Sequence, residues 1–499
     1  HFALNAANLD AVLGICARLD GIPLAIELAA ARMQALSAAD IEKRLSEGFG
    51  LLAAGRAAIP RHQTLRAAMD WSHDLLTGPE RALFRRLACF SGGFDLDAAE
   101  RVGEAGGVGA GEALDLLTRL VEKSLVVGER SAEDRVRYRL LEPLRLYALE
   151  KLTESGETDA ARERHLAHYA ELSERAYAER LDATAEWLSS LEREHDNLRA
   201  AIAWAGANRP SEERRLVGAL AWFWQLHSHN SEGREHLRRV MERGLDRSRD
   251  SARVLWGTSQ LAAWQGDYQD SRKPAEECLA IWREIGDPRE IALALDSVAW
   301  SIFFAGDAPR ALALFEECLS IARETGDERL VNRETLNVCQ ILVALGNIER
   351  TEALASEALA IALRADRASE IQVAYHYLAD CALIRGDAAK AVGLYVESLR
   401  AAIRYGNRME AVFELEGGAM SLAGIGRDAK SMRLLGAALA EREARQNQVT
   451  MDFWERLKQR YLVPAEQRLG RVAAEREKNV GRAMGFDAAV AYAYDVDRD

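Results

Sequence analysis

Hydrophobic positions beyond residue 150 follow a helical period almost to the end of the chain, cut at regular intervals by short polar turns. Gly266-Asp267, Gly306-Asp307, Gly346-Asn347, Gly386-Asp387 and Gly426-Arg427 each lie 40 residues from the last. A second set falls midway, at Gly286-Asp287, Gly326-Asp327, Ala365-Asp366 and Gly406-Asn407. Alternating turns at a fixed period predict stacked helical hairpins, none of which can bury its apolar face without its neighbours. The register also aligns small residues. Ser259, Ala299, Cys339, Ala379 and Ala419 form one column in the first helices, and Cys278, Cys318, Ala358, Ser398 and Ala438 form one in the second. Close helix approach requires small side chains there, so three of the six cysteines read as packing residues.

These columns resemble those of the tetratricopeptide family, which carries an aromatic ahead of the second column. Phe315 and Tyr395 fit that position; Ala275 and Ala355 depart from it. The resemblance covers about residues 251–446. A 40-residue period exceeds the usual ~34, so each helix gains nearly a turn. It implies a concave surface lined by the first helix of each hairpin, with Trp256, Gln260 and Trp264 facing inward in the first hairpin and Trp300, Phe303 and Phe304 in the second. Six of the ten tryptophans lie between Trp222 and Trp300. Large rings anchor ligands with few rotors to freeze. The same rings could instead fill the seam with the preceding helices, and sequence leaves both readings open.

The first 150 residues change pattern. Helical periodicity runs to about Gly55, with starts at the Gly21-Ile22-Pro23 turn and at Ser37, where Ser-x-x-Asp precedes "IEKRL". Residues 60–150 predict helices broken at Thr77-Gly78-Pro79, one near Asp97 and one at "ALDLLTRLVEKS". Two β-like runs follow, "LVVGE" and "RVRYRLL". Three helices and a hairpin make a winged helix. The expected architecture is mainly α: a helical subdomain (1–55), a winged helix (56–150), a helical connector (151–250), a tetratricopeptide-like solenoid (251–446) and a helical cap (447–499).

A net charge of −13 disfavours a phosphate-gripping chain, and the winged-helix segment "GEALDLLTRLVEKS" is nearly charge-balanced. Direct DNA binding is therefore not expected. No apolar run reaches the ~20 residues of a membrane span, so no membrane partner and a cytoplasmic location are expected. The cysteines form no C-x-x-C pair. His165-x-x-His168 lacks a completing ligand, so no metal site is assigned.

Six stretches in order, "ICARLDGIPLAIELAAAR", "RHQTLRAAMDWSHDLL", "ERALFRRLACFSGGFDLDAAE", "LVEKSLVV", "RYRLLEPLRLYALEKL" and "LEREHDNLRAAIAWA", resemble the STAND class of signalling ATPases with NB-ARC or AP-ATPase modules. More narrowly they are similar to bacterial LuxR- and SARP-type regulators. The resemblance implies that Pro23 packs on the adenine of bound ADP, with Gly21 letting the backbone approach. Where many relatives place Met-His-Asp against a phosphate, this chain has Leu140, Leu141 and Glu142. Arg61 and His62 are the candidate substitutes. None of the eight lysines follows a glycine, so the Walker A lysine is missing and no catalytic residue is assigned. ADP or ATP would be held mostly by an upstream domain, and none is expected on this chain alone.

The expected function is signal sensing and autoregulation of a transcriptional regulator. An inducer, protein or small molecule, would bind the repeats. The winged helix would relay this to the chain's own upstream nucleotide-binding domain, with oligomerisation as an activated state. The rival is a constitutive tetratricopeptide scaffold without a nucleotide switch. An opening on His1 with no initiator methionine suggests a portion of a larger protein.

Overall fold

A computed structural model describes residues 4–5, 8–18, 26, 30, 33, 36–46, 66, 69–70, 72–104, 111–130, 136–182, 184–227, 229–444 and 451–495. The chain forms two compact units, one of residues 1–172 with 192–209 and one of residues 173–191 with 210–499.

The first unit begins with α1 (Leu9–Arg18) and α2 (Ala38–Ser46), which bury Ile15 and Ile41. Ser37 caps α2: its hydroxyl accepts from the Asp40 amide at 3.2 Å, and the Asp40 carboxylate accepts from the Ser37 amide at 3.3 Å. Next comes α3 (Gly78–Leu87), opened by a capping box between Thr77 and Glu80 with a proline in its first turn. Asp95 caps α4 (Leu96–Gly103) by accepting from the Ala98 amide at 2.8 Å. After α5 (Glu112–Glu122), strands β1 (Val127–Arg130) and β2 (Val136–Arg139) pair antiparallel from Val127↔Arg139 to Arg130↔Val136. Phe94 joins this ribbon through two backbone bonds to Tyr138, both 2.8 Å. Three helices, a two-stranded wing and a single-residue third strand make the winged helix, with Phe84, Leu87, Phe94, Leu117 and Leu120 fully buried beneath it.

The chain continues through α6 (Glu142–Glu154), α7 (Thr158–Glu179), the 3-10 turn Arg180–Asp182, α8 (Ala185–Arg193) and α9 (His195–Asn208). Buried Asn197 explains part of the "EHDN" stretch. Its side-chain oxygen accepts from the Ser91 amide at 2.9 Å and its amide donates to the Gly93 carbonyl at 2.8 Å, fixing the loop before β-paired Phe94. His165 is buried against Phe90 (5.3 Å) and Tyr169 (4.7 Å), and burial pushes its imidazole down to about 3. Glu142 pairs with Arg145 at 2.8 Å.

The second unit contains α10 (Pro210–Leu226) and α11 (Asn230–Glu242), then five hairpins. Their first helices are α12 (Arg249–Trp264), α14 (Pro288–Phe304), α16 (Glu328–Ala344), α18 (Ala368–Arg385) and α20 (Arg408–Gly424). Their second helices are α13 (Tyr268–Ile285), α15 (Ala308–Thr325), α17 (Ile348–Arg364), α19 (Ala388–Tyr405) and α21 (Asp428–Ala444). A cap follows, α22 (Asp452–Leu469), α23 (Arg471–Arg482) and α24 (Phe486–Tyr494). The solenoid is tetratricopeptide-like.

The Gly-Asp pairs have a mechanical reason. Each glycine takes a left-handed φ, between 69° and 93° at Gly266, Gly306, Gly326 and Gly386, so the next amide can turn back onto the ending helix. The Asp307 amide donates to the Ile302 carbonyl at 3.2 Å and the Asp387 amide to Ala382 at 2.8 Å. The aspartate then starts the following helix: Asp307 accepts from the Arg310 amide and Asp387 from that of Lys390. Each such cap contributes about 1 kcal/mol. One pair departs from its sequence assignment. The left-handed residue in the fourth hairpin's leading turn is Asp366 (φ 50°), in 40-residue register with Gly326 and Gly406, so the turn pair is Asp366-Arg367 and not Ala365-Asp366. Arg367 supplies no side-chain cap there.

Every residue in both small columns is at most 2% exposed. Phe315, Tyr395, Ala275 and Ala355 are buried as well. Five cysteines are buried and all six are free thiols. None of the described helices is long and apolar enough to cross a membrane.

Candidate functional site

The inner face of the second unit holds a cavity of about 310 Å³. Its lining comes from the 3-10 turn (Arg180, Leu181), from α10 (Trp222, Gln225, Leu226), and from all five first helices of the hairpins. Met451, just before the cap helix α22, and Tyr405, the last residue of the second helix α19, also line it. Side chains three and four apart on those first helices share one face, which is why one stripe per hairpin reaches the same space.

Aromatic rings form one end. Trp222 and Trp256 stack with centroids 5.0 Å apart and planes within 9°. Trp264, Trp300 and Phe304 continue the wall; Phe304 stacks on Tyr268 at 4.4 Å and lies 5.8 Å from Trp300. Of the six groove residues read from sequence, Trp256, Gln260, Trp264, Trp300 and Phe304 line the cavity. Phe303 is not among the lining residues; it is half-buried and packs on Trp300. Polar groups are fixed in place. Gln260 donates to the Ser297 hydroxyl at 2.7 Å, and Gln340 accepts from the Tyr377 hydroxyl at 2.8 Å.

Charges at the aromatic end are matched in pairs. Arg180 bonds Glu290 at 2.6 Å while its guanidinium sits over the Tyr177 ring, and Arg333 bonds buried Asp296 at 2.8 Å while lying 5.3 Å from the Trp222 centroid. Glu370 accepts from Asn332 and faces Arg367 at 3.5 Å. Arg329 donates to the Leu181 carbonyl. Behind this wall, Glu334 is buried next to Asp296; burial and that like charge push it up to about 8 against the pull of Arg333.

The opposite end is acidic. His376 lines the cavity with Nδ1 3.1 Å from Glu414 and Nε2 3.5 Å from Asp380, its ring stacked on Trp454 at 5.4 Å. Burial would push the imidazole down, but the Asp380 and Glu414 charges outweigh it and hold it up at about 10. Burial pushes Asp380 up to about 6, opposed by His376 and by the Tyr395 hydroxyl that donates to it. Gln372 donates to Glu414 at 2.7 Å. Glu410, which also lines the cavity, is pushed up to about 7 by burial and by Glu414 against His376.

Gly21, Pro23, Arg61 and His62, the residues assigned to nucleotide by resemblance, lie outside the described residues. Lining residues that sequence reasoning missed include Arg180, Glu410, Phe413 and Met451. Two carried a signal: Phe413 stands 40 residues after Val373, and Glu410 40 after Glu370, in the register already found.

Residues 76–153 match the winged helix-turn-helix domain family and residues 250–324 the tetratricopeptide repeat family. A Mycobacterium tuberculosis protein named as a candidate HTH-type transcriptional regulator is 41% identical over 318 residues, 62% of this chain and 36% of the relative. An uncharacterized protein from the same organism is 52% identical over 170 residues, 34% of this chain and 43% of the relative. This chain therefore spans well under half the length of either relative. Among solved structures, a STAND protein with a tetratricopeptide repeat sensor from Pyrococcus horikoshii matches with a TM-score of 0.45 and 14% identity, over 91% of this chain and 73% of that one. The chain thus combines a winged helix-turn-helix domain with tetratricopeptide-type repeats, and one of these two relatives carries the name of a transcriptional regulator.

Proposed function

We propose that this chain is the sensor and autoregulatory portion of a STAND-type transcriptional regulator related to the LuxR and SARP types. A small-molecule inducer binds the cavity on the repeats, and the winged helix relays occupancy to a nucleotide-binding domain elsewhere in the protein. The observation that carries the reading is the cavity itself. Its volume falls at the lower end of small-molecule sites, ~300–1,000 Å³, and its aromatic wall with a few fixed polar groups matches their composition. A scaffold that grips proteins along an open face would not need charges matched one by one inside a cavity. The name borne by the Mycobacterium tuberculosis relative supports a regulator, and the six STAND-like stretches support a nucleotide-linked one.

The winged helix is proposed as a lever and not a DNA reader. Exposed positions of α5 carry Glu112, Asp115 and Glu122 against Arg119, the wrong sign for a helix entering the major groove. Bound ADP or ATP would touch this chain through Pro23 and Gly21, and Arg61 or His62 would face its phosphates. The chain itself is proposed to lack catalysis, for want of a Walker A lysine. A ligand shifts such a switch only through its differential affinity for the two states.

The test is a thermal-shift screen of a defined metabolite library against wild type and Ala263→Phe. Ala263 is half-buried and lines the cavity, so a phenyl ring there fills it without entering the core. Compounds that stabilise wild type and lose that effect in Ala263→Phe support the reading. Absence of any hit, or hits equal in both proteins, refutes it.

A further inference from the structure

Taking the cavity as a ligand site, we infer that its acidic end recognises an organic cation, a ring-bearing ligand whose protonated amine meets the Glu410 carboxylate. The argument is one of charge balance. Among the described residues, three carboxylates, Asp380, Glu410 and Glu414, share the charge of His376. Two of them are served: Tyr395 donates to Asp380 and Gln372 to Glu414, and His376 lies between these two acids. Glu410 is the one that faces the cavity, and among the described residues no donor reaches its carboxylate; its own backbone amide is bound by the Asn407 side chain. Half-buried and without such a donor, the Glu410 carboxylate is open to a proton or a cation arriving from the cavity.

The surroundings select among cations. Phe413 lines the cavity three residues from Glu410, within one turn of the same helix, and its ring already attracts one cation, the Arg442 guanidinium 5.1 Å from the centroid, which leaves one ring face for a ligand ammonium. At the aromatic end each arginine is already held, Arg180 by Glu290, Arg333 by Asp296 and Arg329 by the Leu181 carbonyl. An anionic ligand would therefore have to displace a formed ion pair at Arg180 or Arg333, while a cation at Glu410 completes an unmatched one. The 310 Å³ volume lies at the lower end of small-molecule sites, so a ring with a short amine arm fits.

Three probes with one ring and different charge decide the point: tyramine, 4-ethylphenol and 4-hydroxyphenylacetate, titrated calorimetrically into wild type and Glu410→Gln. The inference requires tyramine to bind wild type at least about tenfold more tightly than either of the other two, a difference of about 1.4 kcal/mol. Glu410→Gln, isosteric at a half-buried position, should remove that preference. Equal or better binding of 4-hydroxyphenylacetate or 4-ethylphenol, unchanged preference in Glu410→Gln, or no binding of tyramine up to millimolar concentration each overturns it. Should the variant fail to fold, the order of the three probes on wild type decides alone. Binding by the acid or neutral probe would sink the cation inference and leave the cavity a ligand site, whereas a blank metabolite screen would remove both.

Discussion

Replacing Trp256 by alanine tests whether the aromatic wall is structural as well as ligand-facing. The side chain is 9% exposed and stacked on Trp222. A tryptophan buries about 200 Å², which at ~25 cal/mol/Å² is about 5 kcal/mol. The stack adds about 1 kcal/mol beyond area. Two terms reduce the loss: alanine keeps its own Cβ burial, and the vacated space opens into a cavity that water can enter instead of leaving a dry void. A net cost of about 3–4 kcal/mol follows, inside the ~3–5 kcal/mol range for such truncations. Trp256→Phe should recover about half, and Trp222→Ala combined with Trp256→Ala should fall short of the summed singles by about 1 kcal/mol. Urea unfolding of the three single variants and the double, followed by circular dichroism, gives these numbers. Because repeats couple chiefly to their neighbours, hydrogen exchange should rise first in α10 and α12. A loss under about 1 kcal/mol, or identical losses in the alanine and phenylalanine variants, would refute the packing as described.

Other consequences can be checked separately. His376 is held up at about 10 from an ordinary 6.5, so the stability its charge contributes is full below pH 6.5 and is lost as pH rises through about 10; the raised pKa values of Asp380, Glu410 and Glu334 push in the same direction at lower pH. Urea midpoints should therefore fall from pH 6.5 to 10, and His376→Gln should be less stable at pH 7 and lose the upper part of that slope. Asp366→Gly should raise the melting temperature, since a left-handed φ costs an L-residue about 1–2 kcal/mol and the exposed pair with Arg404 returns about 0–1 kcal/mol at most; Asp366→Val should lower it. Under native conditions a thiol reagent should modify Cys16 quickly and the other five slowly, because Cys89, Cys278, Cys318, Cys339 and Cys381 are buried and burial pushes their thiols up, Cys89 to about 11 and Cys339 and Cys381 to about 12.

The repeats were legible because one dipeptide does two jobs at each turn, and glycine at a left-handed φ leaves a plain mark in sequence. Asp366 slipped by one place because aspartate can substitute for glycine there while the neighbouring Ala365 looked like the turn residue. The winged helix was legible from capping residues and the polar break between two β-like runs. Phe94 was not, since a single-residue strand has no period to detect. In the cavity, the first two hairpins announced themselves through tryptophan. Arg180 and Met451 come from segments outside the repeat register, and their approach depends on how the hairpins curve, which no spacing encodes. The acidic end was hidden for another reason: Glu410 and Glu414 look like ordinary helix charges until their surroundings are known.

The most direct measurement of the central claim is hydrogen exchange on the chain with and without the compound giving the largest stabilisation in the metabolite screen. The account predicts protection concentrated in the first helices of the hairpins, α12, α14, α16, α18 and α20, with the second helices little changed. Protection confined to the second helices or to the cap, with the first helices unaltered, would contradict it.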